Sequence, residues 1–73
     1  MYKLYIWYSW EFGKWIYKGE FATKKEVNEQ INNKRETTYK ITHGDDVVEY
    51  HEAPGYCWRY GMVRPKPIKV KGV

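Results

Sequence analysis

Among its 73 residues the chain has a single cysteine, Cys57. An intramolecular disulfide is therefore excluded, and a lone thiol fits a reducing cytoplasm better than the disulfide-rich scaffold of a small secreted protein. Histidine is scarce too. His43 and His51 together with Cys57 fall short of a structural zinc site. No apolar run approaches the roughly 20 residues of a membrane span. The opening Met1-Tyr2-Lys3-Leu4 lacks the basic, apolar, small-residue order of a secretion signal. A cytoplasmic protein is expected. There is no Gly-rich phosphate loop, no His-Glu-x-x-His and no Gly-x-Ser-x-Gly. Cys57 with His43 or His51 would be a nucleophile–base pair, but a Cys between Tyr56 and Trp58 reads more simply as a small packing residue. The expectation is a protein that is not an enzyme and that uses no cofactor, no metal and no small-molecule substrate.

Acidic residues are absent from the end of the chain. Residues 53–73 carry Arg59, Arg64, Lys66, Lys69 and Lys71 and no carboxylate, a net charge of +5. Residues 1–52 carry eight Lys/Arg against nine Asp/Glu, a net of −1, and the two parts make up the formal +4. The basic character is thus local, which weakens any argument from isoelectric point for nucleic-acid binding by the whole domain.

Aromatic residues are abundant, with four Trp, eight Tyr and two Phe. A chain this short lies near the lower size limit for a self-sufficient core. Rings that each bury about 150–250 Å² offset that deficit.

Tyr2 to Trp10 alternates. Tyr2, Leu4, Ile6, Tyr8 and Trp10 fall on one face, and Lys3, Tyr5, Trp7 and Ser9 on the other, which predicts a strand. Glu11-Phe12-Gly13-Lys14 turns the chain, Trp15 to Lys18 returns as the second strand of a hairpin, and Gly19 ends it. Thr23-Lys24-Lys25-Glu26 reads as a capping box that opens a helix from Lys24 to Lys34. Val27 and Ile31 form its narrow apolar stripe, with Phe21 packing beside Val27, and Lys34 and Arg35 complement the dipole at its end. Thr37 to His43 is expected as a third strand with Tyr39 and Ile41 on one face. After Gly44-Asp45-Asp46, a fourth runs from Val47 to Glu52, with Val48 and Tyr50 on one side and Val47, Glu49 and His51 on the other. Ala53-Pro54-Gly55 breaks the chain, and Tyr56 to Tyr60 is a short fifth strand. Arg64-Pro65-Lys66-Pro67 cannot lie in a central strand, because neither proline donates a ladder hydrogen bond. Ile68 to Lys71 is either an edge strand or disordered. The expected class is α+β: one domain over residues 1–63 with an antiparallel sheet of four to five strands in the order strand-strand-helix-strand-strand, then a basic tail over 64–73.

Three features carry functional expectations. Tyr5 and Trp7 share a strand face with Lys3, and such rings serve as buried core, as a protein hot spot or as a platform for single-stranded nucleic acid. Asp45, Asp46, Glu49 and Glu52 cluster on the second hairpin, either as a solvated end or as a patch that steers a basic protein surface. His43 and His51 beside them would crowd one hairpin end, where a solvated turn is a simpler reading than a metal site. Arg64, Lys66, Lys69 and Lys71 read either as a solvated, disordered end or as contacts for phosphates or an acidic groove. The protein-binding candidates are Asp45, Asp46, Glu49, Glu52, Tyr5 and Trp7. The alternative, a single-stranded nucleic-acid module, would use Lys3, Tyr5, Trp7, Arg64, Lys66, Lys69 and Lys71.

An aromatic hairpin (Tyr2–Lys18), then a small Thr-capped helix (Phe21-Ala22-Thr23-Lys24-Lys25-Glu26) and an Arg-Pro basic tail (Val63-Arg64-Pro65-Lys66) resemble the small phage-encoded proteins that bind and inhibit bacterial RNA polymerase. The similarity covers about half of the chain and is one of order and character. It implies a non-enzymatic regulator in the host cytoplasm that docks on a host protein assembly, RNA polymerase foremost, and inhibits or redirects transcription, with nucleic acid touched, if at all, through the tail.

Overall fold

The alternation of Tyr2, Leu4 and Ile6 with Lys3, Tyr5 and Trp7 gives β1 (Tyr2–Tyr8), an inner strand paired on both sides. The computed structural model describes residues 1–10, 12–53 and 62–71. It contains β1, β2 (Lys14–Phe21), α1 (Lys24–Glu29), a 3₁₀ turn (Lys34–Glu36), β3 (Tyr39–His43) and β4 (Asp46–His51). The strands form one antiparallel sheet in the order β2-β1-β3-β4. The expected strand over 56–60 and Cys57 lie outside the described residues.

One face of the sheet holds the core. Leu4, Tyr39 and Ile41 from the strands meet Val27 and Ile31 from the helix region, with Tyr2, Ile6, Phe21 and Val48 packed around them. Val27 and Ile41 are fully buried, each stabilising the fold by about 1.5–3 kcal/mol relative to exposure. A six-residue helix would not persist alone, so α1 depends on this burial. Thr23 begins it as expected: its Oγ1 accepts the Glu26 N–H at 3.2 Å.

The helix does not reach Lys34. It stops at Glu29, with Gln30 and Ile31 donating to the carbonyls of Val27 and Asn28 in tight i to i−3 bonds. Asn33 then caps a separate 3₁₀ turn, accepting the Glu36 N–H through Oδ1 at 3.4 Å, while its carbonyl accepts the Thr37 hydroxyl at 2.7 Å. A short amide side chain that satisfies neighbouring backbone competes with helical hydrogen bonding. Lys34 and Arg35 therefore lie in that turn, not at the end of α1.

Two bulges set which residues share a face. β2 continues through Gly19 to Phe21, where the sequence pattern ended it at Lys18. Leu4 pairs with Gly19 and Tyr5 with Tyr17, which leaves Lys18 unpaired. Gly19 takes up the irregularity with φ of 135°, a region open to glycine and closed to most other residues. Ile16 and Phe21 are an odd number of residues apart, yet both oppose core-face positions of β1, Ile6 and Tyr2. In β4, Ile41 pairs with Glu49 and Thr42 with Val47, which leaves Val48 unpaired. The bulge separates Val48, which packs on the core, from Tyr50, which reaches the other face. The expected pairing of those two on one side is thereby corrected.

Gly19→Ala is expected to cost about 1–3 kcal/mol through its positive φ. Lys18→Ala next to it should stay within about 0.5 kcal/mol. Urea unfolding midpoints of the two variants check this.

Candidate functional site

With the helix on one face, the other face of the sheet carries rings. Tyr5 and Tyr17 pair across β1 and β2 with centroids 5.5 Å apart, and Trp7 meets Trp15 edge-on at 5.0 Å. Trp15 meets Tyr50 at 6.3 Å. The Lys40 ammonium lies 4.6 Å from the Trp15 centroid and 5.0 Å from that of Tyr5, and burial lowers its pKa. These are cross-strand aromatic and cation–π contacts of the kind that hold a half-covered sheet face together.

The segment 62–71 has no regular secondary structure and docks on the body of the protein. The Val63 N–H donates to the Ser9 carbonyl at 2.7 Å, and the Trp7 indole N–H donates to the Val63 carbonyl at 2.8 Å. Pro65 is buried. Arg64 grips Glu52 with two donors, Nε at 3.1 Å and a terminal nitrogen. At the far end the Lys71 N–H donates to the Val47 carbonyl at 2.8 Å, and its ammonium reaches Asp46 at 3.0 Å. The segment thus acts as a strap from the end of β1 to the start of β4.

The strap and the first hairpin enclose a cleft of about 360 Å³ lined by Trp7, Phe12, Gly13, Lys14, Trp15, Val63, Arg64 and Lys66. Gly13 is required there twice over. It has φ of 72°, and a Cβ on it would lie 2.4 Å from the Trp7 ring, closer than any side chain tolerates. Beside it, Phe12 has φ of 75° and is 93% exposed. Trp10, whose carbonyl accepts the Gly13 N–H at 3.0 Å, is 46% exposed.

The acidic residues are distributed, not gathered. Asp46 pairs with Lys71. Glu49 faces the core side, where it accepts the Tyr39 hydroxyl at 2.7 Å and meets Lys24 at 3.4 Å. Burial pushes Glu49 up, but Tyr39 and Lys24 outweigh it and hold the carboxyl below its ordinary value. Tyr39 is raised in turn by burial and by Glu49. Glu52 is held low mainly by the hydrogen bond from Arg64. It also accepts the Tyr50 hydroxyl at 3.0 Å; burial and that bond push Tyr50 up to about 12. Asp45 is exposed at the β3–β4 turn.

The two histidines sit at opposite ends of the β3–β4 hairpin, not at one. His43 stacks on Tyr2 at 4.6 Å, and His51 on Tyr39 at 5.5 Å with Nδ1 3.0 Å from the Thr37 carbonyl. Among the described residues no three His, Cys, Asp or Glu side chains converge as metal ligands, and no helix is long and apolar enough to cross a membrane.

Of the residues singled out from sequence, Tyr5 and Trp7 lie on the aromatic face, both partly buried, and Lys3 on β1 is exposed. Arg64 and Lys71 hold the strap, while Lys66 lines the cleft and Lys69 a second hollow with Asp45, Asp46, Val47 and Lys71. Phe12, Lys14, Trp15 and Val63 were not singled out. The signal that would have found Phe12 is its place in a turn, where Gly, Asn, Asp, Pro and Ser dominate. No protein-family model, curated protein or solved structure matches the chain.

Trp7→Phe removes the indole donor and should cost about 1 kcal/mol, seen as roughly fivefold faster hydrogen exchange at the Val63 amide. The depressed Glu52 pKa contributes stability that is present above its unfolded value, about 4.5, and is lost as pH falls through the folded value. Protection of the Val63 amide should therefore drop on acidification below that point, and Glu52→Gln should already be loosened at neutral pH with a flatter acid profile.

Proposed function

We propose that this chain is a non-enzymatic binding protein that acts in a host cytoplasm by docking the aromatic tip of its first hairpin on a protein assembly. Bacterial RNA polymerase is the target and altered transcription the outcome. The observation that supports this reading most is Phe12, a residue 93% exposed at φ of 75°. That backbone region costs an L-residue about 1–2 kcal/mol, and a ring left in water returns nothing to the fold. Glycine would serve the turn better, so the ring is explained by a partner pocket that desolvates it. The choice of polymerase rests on the resemblance of the hairpin, the Thr-capped helix and the Arg-Pro segment to small phage regulators.

The acidic residues contribute less directly than the hairpin tip. Asp46, Glu49 and Glu52 already hold cations of this chain, which leaves Asp45 as the exposed carboxylate of the set. The same pairings count against the nucleic-acid alternative, because Arg64 and Lys71 are engaged with Glu52 and Asp46.

Phe12→Gly separates function from folding. The variant should be as stable as the parent or up to about 1–2 kcal/mol more stable, and should bind purified bacterial RNA polymerase at least roughly 30-fold more weakly, the loss of a hot spot of about 2 kcal/mol. Biolayer interferometry and thermal melts measure both. No binding by the parent chain removes polymerase as the target, and equal binding by the variant removes the hairpin tip as the anchor.

A further inference from the structure

We infer that the cleft between the hairpin tip and the strap takes a short acidic peptide segment that carries one aromatic or branched apolar side chain. This rests on the docking function above and goes further by naming the chemistry of the partner's epitope. The lining combines the apolar Trp7, Phe12, Trp15 and Val63 with the cations Lys14, Arg64 and Lys66. Among the described residues no carboxylate lines it. Arg64 shares its charge with Glu52, whereas Lys14 and Lys66 form no ion pair among the described residues. A volume of about 360 Å³ sits at the small end of ligand sites and suits one large side chain with its flanking backbone. An apolar side chain entering there brings its neighbours against the lysines, and complementarity requires those neighbours to be negative.

The same geometry favours a peptide over a nucleic-acid strand. Strand binders combine a cationic groove that follows successive phosphates with ring faces open for stacking. Here the strap's cations do not form one continuous groove: Lys66 lines the cleft, whereas Lys69 and Lys71 line the second hollow. On the strap Arg64 meets Glu52 and Lys71 meets Asp46, carboxylates that repel a long polyanion. The Trp7 indole N–H is committed to Val63, and its ring lies against Gly13. The second hollow, about 350 Å³ between Asp45, Asp46, Lys69 and Lys71, carries both signs of charge and has no such preference.

The test titrates the isotope-labelled full chain with a capped Asp-Asp-Phe-Glu-Glu peptide and follows the Trp7 and Trp15 indole resonances at low salt. Parallel titrations use Lys-Lys-Phe-Lys-Lys and a short oligothymidylate. Saturable shifts with the acidic peptide alone are expected. They should weaken with salt, and by about tenfold or more in the double variant Lys14→Glu/Lys66→Glu. Both lysines are exposed, and an unchanged melting temperature shows that the variant folds. Absence of saturable shifts, equal shifts with the basic peptide, or indifference to the double substitution overturns the inference. If the acidic peptide fails while Phe12-dependent binding to a protein persists, the epitope chemistry falls and the docking function stands. Tighter binding of oligothymidylate at the same resonances overturns both.

Discussion

The indole of Trp7 is the point on which the aromatic side of the molecule turns. Its ring lies against Gly13, its edge meets Trp15, and its N–H holds the Val63 carbonyl. Among the described residues a four-stranded sheet meets one six-residue helix, which can cover only one of its faces. The opposite face needs another cover, and the strap supplies part of it. Without a donor at Trp7 the strap would keep its ion pairs and the Val63–Ser9 backbone bond but lose the side-chain bond that ties it to the aromatic face. The turn of the first hairpin depends on the same ring, since any side chain at position 13 would have to displace it.

The carboxylates of β4 and of Glu52 just after it work mainly inward. Glu49 ties the sheet to α1 through Lys24, and Glu52 and Asp46 pin the two ends of the strap through Arg64 and Lys71. Exposed ion pairs of this kind contribute at most about 1 kcal/mol each. Their role here is placement. The strap contains two prolines that cannot donate to a ladder and has no regular secondary structure, so paired side chains at its ends fix its course.

Much of the sheet was legible in local pattern. Alternation in Tyr2–Tyr8 marked β1 and its two faces, Tyr39 and Ile41 marked the buried side of β3, and Thr23 marked the start of α1. Strict alternation could not reveal the bulges at Lys18 and Val48, because a one-residue irregularity reverses the face of everything after it. Gly19 looked like a terminator because glycine both ends strands and permits bulges. The helix end was misplaced because Asn33 satisfies backbone beyond it by a local alternative. The candidate site was less legible than the fold. A run of acids reads as a patch, whereas each carboxylate of β4 found its own cation from a distant part of the chain. Phe12 and Lys14 read as turn residues until residues 63–66 were placed beside them.

That placement has a consequence for how any recognition by this cleft would be detected. Its walls come from Trp7 and residues 12–15 on one side and from Val63, Arg64 and Lys66 on the other, and the bond joining the two sides spans 56 positions. It is a discontinuous surface, so overlapping synthetic fragments of the chain would each present half of it and register as silent. An antibody or partner that reads the cleft would serve instead as a reporter of the intact tertiary fold.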